Sequence, residues 1–303
     1  MSRLKLTLLG LFALLAATAG FGAGFGAGAG ELLRDQPAPS PALGAPLLYS
    51  VYVPEAAPGE RLPVVYLLHG YGGGQYEWAQ GGRIEAKLDR LIDKGEIEPV
   101  IAVMPAAGKS WYVDSARWGG PGDYETAIVR DLVAHVDATY PTIASRQGRA
   151  IMGLSMGGHG ALRLAFAYPE VFGAVAGLSP AIWRPGGVSA RSGPGAADLD
   201  ARERWYPRTT GETFDLATFN LQSPFALVTS VAAADPPPAI MLAVGDDDFF
   251  GLHDGTVELY VDLRRAGLKP ELRVGDGAHD WDYWRPASTK GFRFFDAIFR
   301  AAR

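Results

Sequence analysis

The chain has 303 residues, 48% of them apolar and 20% charged, which describes an ordinary globular protein and excludes a disordered or fibrous one. Lys+Arg 28 against Asp+Glu 33 leaves a net charge of −5, so nothing draws the chain to nucleic acid or anionic lipid, and a mean hydropathy of +0.04 excludes a polytopic membrane protein. Zero cysteines exclude a thiol nucleophile, thiolate metal sites and disulfides.

Arg3 and Lys5 precede a charge-free run that is most apolar over 6–17 and continues in Gly and Ala to Gly30. A basic start, an apolar core and small residues read as a signal peptide over 1–30, the alternative being an uncleaved anchor; the chain is expected to be secreted or periplasmic. A Pro-rich linker is expected over 31–46, followed by one domain over 47–303.

From Leu47 the pattern alternates between strand and helix. Strands are predicted at 47–53, 64–68 and 100–104, the last closed by Pro105. Between the second and third, Ile84, Leu88, Leu91 and Ile92 fall at helical spacing, with Gly95 as the stop. Ile128, Leu132 and Val136 mark a second helix ending before Pro141. A strand at 150–153, a helix at 157–167 and a strand at 173–178 follow. The segment 183–235, rich in Gly, Pro and Arg, breaks the rhythm and reads as an irregular insertion over the end of the sheet. A strand at 240–244, a helix at 257–263, a strand at 271–274 and a closing helix at 292–299 complete the pattern. Alternation of this kind predicts an α/β fold, a mostly parallel sheet with helices on both faces.

Gly153-Leu154-Ser155-Met156-Gly157 lies between an apolar strand and an Ala/Leu helix. A serine on so sharp a turn needs small neighbours, and the turn lifts its hydroxyl above the sheet, so Ser155 is the candidate nucleophile. A hydroxyl attacks only when a base takes its proton. Of five histidines, His279 lies in a polar loop between the last strand and the last helix, where the base belongs. The carboxylate that holds the imidazole is expected in Asp246-Asp247-Asp248 after the strand 240–244, and spacing alone does not choose among the three. The backbone N–H of Met156 is one oxyanion donor, and the Gly-rich loop His69-Gly70-Tyr71-Gly72-Gly73-Gly74 is the expected source of the second. Trp111, Tyr112 and Trp118 are candidate pocket-wall residues for a flat ligand. No P-loop, dinucleotide-binding or zinc-hydrolase motif is present, so neither cofactor nor metal is expected.

Together, the segments Leu67–Gly73, Ile151–Ala161 and Gly277–Asp280 resemble the esterase D / feruloyl esterase family of α/β-hydrolases, which includes S-formylglutathione hydrolases and mycolyltransferases. The resemblance spans about Leu47 to Phe299 and implies an α/β-hydrolase fold. It maps the acid onto Asp248 and the second oxyanion donor onto the Tyr71 N–H. The expected function is a serine carboxylesterase of feruloyl- or acetyl-esterase type, acting on a small-molecule or polysaccharide-linked ester. The alternatives are an acyltransferase of mycolyltransferase type, an S-formylglutathione hydrolase-like thioesterase, or a non-catalytic binding protein on the same scaffold. Membrane association is expected only if the N-terminal segment stays uncleaved.

Overall fold

The computed structural model describes residues 30–184, 205–206 and 208–303. The expected signal peptide, apart from Gly30, and residues 185–204 and 207 of the expected insertion lie outside them. Eight strands form one sheet: β1 Glu31–Ala38, β2 Leu47–Val53, β3 Val64–Leu68, β4 Ile101–Pro105, β5 Arg149–Leu154, β6 Ala174–Leu178, β7 Ala239–Gly245 and β8 Glu271–Gly275. Their spatial order is β1-β2-β4-β3-β5-β6-β7-β8. β1 and β2 pair antiparallel, as do β2 and β4, and every pairing from β4 to β8 is parallel.

The helices are α1 Glu77–Gln80, α2 Ile84–Asp93, α3 over 124–139, α4 Met156–Ala167, α5 Leu216–Gln222, α6 Val228–Ala232, α7 Leu252–Arg265 and α8 Trp281–Ala301; α3 passes through a π-helical stretch, Ala127–Leu132. Alternate residues of the central strands serve opposite faces, because side chains on a strand alternate. Val65 and Leu67 of β3 join Leu88, Leu91, Phe292 and Phe295 from α2 and α8. Val64, Tyr66 and Leu68 join Ile128, Leu132, Leu162 and Leu259 from α3, α4 and α7. Buried on both sides, β3 to β7 read in the sequence as continuous apolar runs.

One expectation is corrected here. The stretch 31–46, expected as a linker, begins with strand β1, which pairs with β2 from Glu31↔Val53 to Ala38↔Leu47, with an irregularity between Leu33 and Gln36. β1 is an edge strand, so its polar residues and Pro37 are tolerated, since an edge strand needs only half of its ladder bonds. The closing helix also starts earlier than expected, at Trp281. Its first turn is capped by the Asp280 carboxylate, which accepts from the N–H groups of Asp282 and Tyr283. Among the described residues no helix is long and apolar enough to cross a membrane.

Candidate active site

The site is built at the carboxyl ends of β3, β5, β7 and β8, where parallel sheets place their ligands. At the end of β5 the chain turns abruptly into α4. Ser155 holds φ 54° and ψ −120°, a region that a residue bearing a side chain adopts only under constraint. The constraint is steric. A Cβ at Gly153 would fall inside the Gly157 carbonyl, and a Cβ at Gly157 would fall inside the Leu68 carbonyl of β3. The Ser155 side chain makes no cap bond to α4; it points elsewhere.

That direction is His279. The His279 Nε2 lies 2.9 Å from Ser155 Oγ, and its Nδ1 lies 2.8 Å from Asp248 Oδ2. An ionised carboxylate only accepts, so Nδ1 carries the hydrogen and Nε2 is left to accept from the serine hydroxyl. Asp248 is 3% exposed and His279 9% exposed, so water barely competes for these bonds. The second Asp248 oxygen accepts from the Phe250 N–H at 3.0 Å. Of the three aspartates in the run, Asp248 alone reaches the imidazole. Asp246 is exposed and accepts from the Gly277 N–H, and Asp247 is exposed. Asp246, Asp247 and Asp276 hold carboxylate oxygens within 4.8 Å of one another, and among the described residues this is the group that could hold a cation. The imidazole is edged by Trp284 at 4.8 Å, Phe250 at 4.9 Å and Phe249 at 5.7 Å between ring centres.

The loop after β3 is held peptide by peptide. The Trp78 indole N–H donates to the Leu68 carbonyl at 3.0 Å, and the Tyr112 hydroxyl to the His69 carbonyl at 2.9 Å. His69 Nε2 accepts from the Ala107 N–H at 2.8 Å, so the proton sits on Nδ1, which donates to the Gly70 carbonyl at 2.7 Å. Burial pulls the His69 imidazole down to about 4, which keeps it neutral in this role. Tyr71 is the next residue along. Met156, on the facing side, opens α4, where an N–H finds no carbonyl within its own helix. His159 is buried on α4 behind Ser155, edge-on to Trp111. His135 meets the Tyr49 hydroxyl, and His253 meets Asp254.

The expected pocket wall is corrected in part. Tyr112 is fully buried, and its hydroxyl is engaged by the His69 carbonyl, so it braces the loop and cannot touch a ligand. Trp111 is also buried, stacked on Tyr206 with ring centres 4.3 Å apart, its indole N–H donating to the Trp205 carbonyl. Trp118 is half-exposed, lies under the Arg117 guanidinium, and lines a groove with Asp114, Arg163 and Leu221. The exposed rings near the imidazole are others: Phe249 (68% exposed), Trp205 (44%) and Phe250 (38%). Trp205 bridges them, with Tyr71 at 4.7 Å on one side and Phe250 at 6.5 Å on the other. The signal for Phe249 and Phe250 in the sequence was their adjacency, directly after the acid run.

A hydroxyl, an imidazole and a carboxylate in sequence can move a proton off the hydroxyl as it attacks an acyl carbon. The chain is similar to known esterases. The family model described as "Putative esterase" matches residues 40–295. An acetyl esterase of Caldicellulosiruptor saccharolyticus is 28% identical over 243 residues, 79% of this chain and 85% of that protein. An endo-1,4-beta-xylanase/feruloyl esterase of Xylanibacter ruminicola is 34% identical over 131 residues, 42% of this chain and 18% of that protein. A ferulic acid esterase of solved structure superposes with a TM-score of 0.73 at 28% identity, over 89% of this chain and 99% of that one. The chain therefore belongs to the esterase family, an ester-hydrolysing enzyme on an α/β-hydrolase fold.

Proposed function

We propose that the enzyme is a serine carboxylesterase in which Ser155 is the nucleophile, His279 the general base and then acid, and Asp248 the carboxylate that orients the imidazole. The continuous relay from Asp248 through His279 to Ser155 is the observation that carries this reading. Ser155 Oγ bonds to the ester carbonyl carbon while His279 Nε2 takes its proton. The carbonyl oxygen becomes an oxyanion held by the N–H groups of Tyr71 and Met156. The carbon–oxygen bond to the alcohol then breaks, and His279 returns the proton to the departing oxygen. Water repeats the sequence on the acyl-serine, with the acid released and Ser155 restored.

The substrates are carboxylic esters with small or flat acyl groups, free or linked to a polysaccharide. The acetyl and feruloyl esterase relatives support the acyl range, and the rim of Tyr71, Trp205, Phe249 and Phe250 suits a planar ring. Export is supported by the basic and then apolar run over 1–30.

Replacement of the nucleophile tests the reading. Ser155→Ala is expected to lower p-nitrophenyl acetate hydrolysis by roughly 10⁴-fold or more. A fluorophosphonate probe is expected to label the parent enzyme and leave the variant unlabelled. Activity retained by a folded Ser155→Ala protein would remove Ser155 from the mechanism.

A further inference from the structure

The Glu77 carboxylate is not needed by the relay, yet it sits beneath the loop that carries Tyr71. Its Oε2 accepts from the Gly70 N–H at 2.7 Å. It also occupies the space over Gly73, where a Cβ would collide with the same oxygen. Among the described residues no lysine, arginine or histidine makes an ion pair with it. Half-buried and without a salt bridge, the carboxylate has lost part of its hydration, and the Gly70 N–H is the partner that compensates it. Burial pushes its carboxyl up, with the Gly70 N–H and the nearby His279 pulling the other way.

We infer that Glu77 is a positioning residue for the oxyanion hole: by gripping the Gly70 N–H it sets the angle between two consecutive peptide planes and so aims the Tyr71 N–H. This rests on the acyl-serine reading. Each trans peptide is planar, its C=O and N–H pointing opposite ways. The first plane holds the His69 carbonyl and the Gly70 N–H, and it is pinned at both ends, by the Tyr112 hydroxyl and by Glu77. The second holds the Gly70 carbonyl and the Tyr71 N–H. Its carbonyl accepts from His69 Nδ1 and from the Gly73 N–H at 3.1 Å, which turns the Tyr71 N–H to the opposite side. Gly70 is the hinge between the planes, with no Cβ to restrict it. Without Glu77, one of the two planes loses half of its anchorage.

Glu77 acts on both halves of the reaction, because acylation and deacylation each pass through an oxyanion. If both rates fall by one factor, kcat falls by that factor and KM stays put. Glu77→Ala is therefore expected to lower kcat for p-nitrophenyl acetate by about 10–100-fold with KM within about 2-fold, the scale of a misplaced or lost oxyanion donor. Glu77→Gln keeps an acceptor oxygen at the same reach and is expected to hold kcat within about 3-fold of the parent. Glu77→Met, of similar length and without an acceptor, repeats the test should the alanine variant fail to fold. The inference is overturned if the folded alanine or methionine variant keeps parental kcat, or if the glutamine variant is as slow as they are. Ser155→Ala measured alongside separates the two claims: activity retained there defeats the acyl-serine reading, whereas loss there with full activity in Glu77→Ala defeats only the role of Glu77.

Discussion

Ser155, His279 and Asp248 are held by different kinds of constraint. Ser155 is placed by backbone sterics, with φ 54° kept open by bare glycines. His279 is placed by rings that edge it and by Asp248, a pairing across 31 residues. Side chains behind the site matter at the same scale. Tyr112→Phe removes the hydroxyl from the His69 carbonyl in a fully buried place, and an unsatisfied buried acceptor costs about 1–3 kcal/mol. Denaturant unfolding should show that loss, together with a lower kcat; unchanged stability would show that the carbonyl finds another partner. On the rim, Trp205 is exposed and contacts Tyr71, so Trp205→Ala should leave p-nitrophenyl acetate turnover within about 2-fold. The KM for methyl ferulate should rise about 2–10-fold, the scale of one aromatic contact. Equal effects on both esters would argue against the rim as an acyl platform. The turn that carries Ser155 and the loop that carries His279 were legible in the sequence because both are local features of the chain. Trp205 and the bracing role of Tyr112 were not, since each exists only as a contact between segments distant in the chain; Glu77 lies seven residues from Gly70, and nothing in that spacing announces that its carboxylate turns back onto the loop.

Close approach of helix to strand decides the outcome at the level of elements. α4 descends so near β3 that Gly157 lies against the Leu68 carbonyl, the strand end from which the oxyanion loop departs. Gly157→Ala inserts a methyl group where backbone already sits. Relief must come from lifting α4 or bending β3, at about 1–3 kcal/mol or more. The expected result is a lowered Tm and a larger loss of kcat than stability alone explains; parental Tm and kcat would show that the elbow has room. The central strands were readable because burial on both faces leaves almost entirely apolar side chains in them, Arg149 at the start of β5 being the exception. β1 was not, because its alternation is blurred by Arg34, Asp35 and Pro37, and only the neighbouring β2 makes it a strand. The first turns of α8 were missed for a related reason. Trp281, Tyr283, Trp284 and Pro286 carry no clean helical stripe, and the helix start depends on the Asp280 cap.

Besides His279, folding of the whole molecule removes His69 and His159 from water. Burial lowers His69 to about 4 and His159 to about 3, against an ordinary value of 6.5. As pH falls below about 6.5 the unfolded chain takes up protons on these groups and the folded chain does not. Stability contributed by their neutral forms is therefore present above pH 6.5 and is lost progressively toward pH 4 and below. Carboxylates elsewhere add their own acid dependence, so the informative measurement is a difference. The Tm of the parent enzyme should fall more steeply between pH 6.5 and 4 than that of His159→Gln. Parallel profiles would show that His159 protonates in the folded state without cost.

The sequence by itself determined the parts that act over a few residues: the alternation of buried strand and amphipathic helix, the turn at Ser155, and the loop that offers His279. These follow from side-chain periodicity and backbone sterics, which need no distant partner. Spacing left three adjacent aspartates open and only the family resemblance pointed to Asp248; the tertiary structure brings that one to the imidazole, and it decides which aromatics stay exposed beside it and that Tyr112 braces the loop after β3. Those choices join residues 31 or 43 positions apart. They are settled by which groups packing brings within hydrogen-bond reach, a property of the assembled layers that no local window of sequence contains.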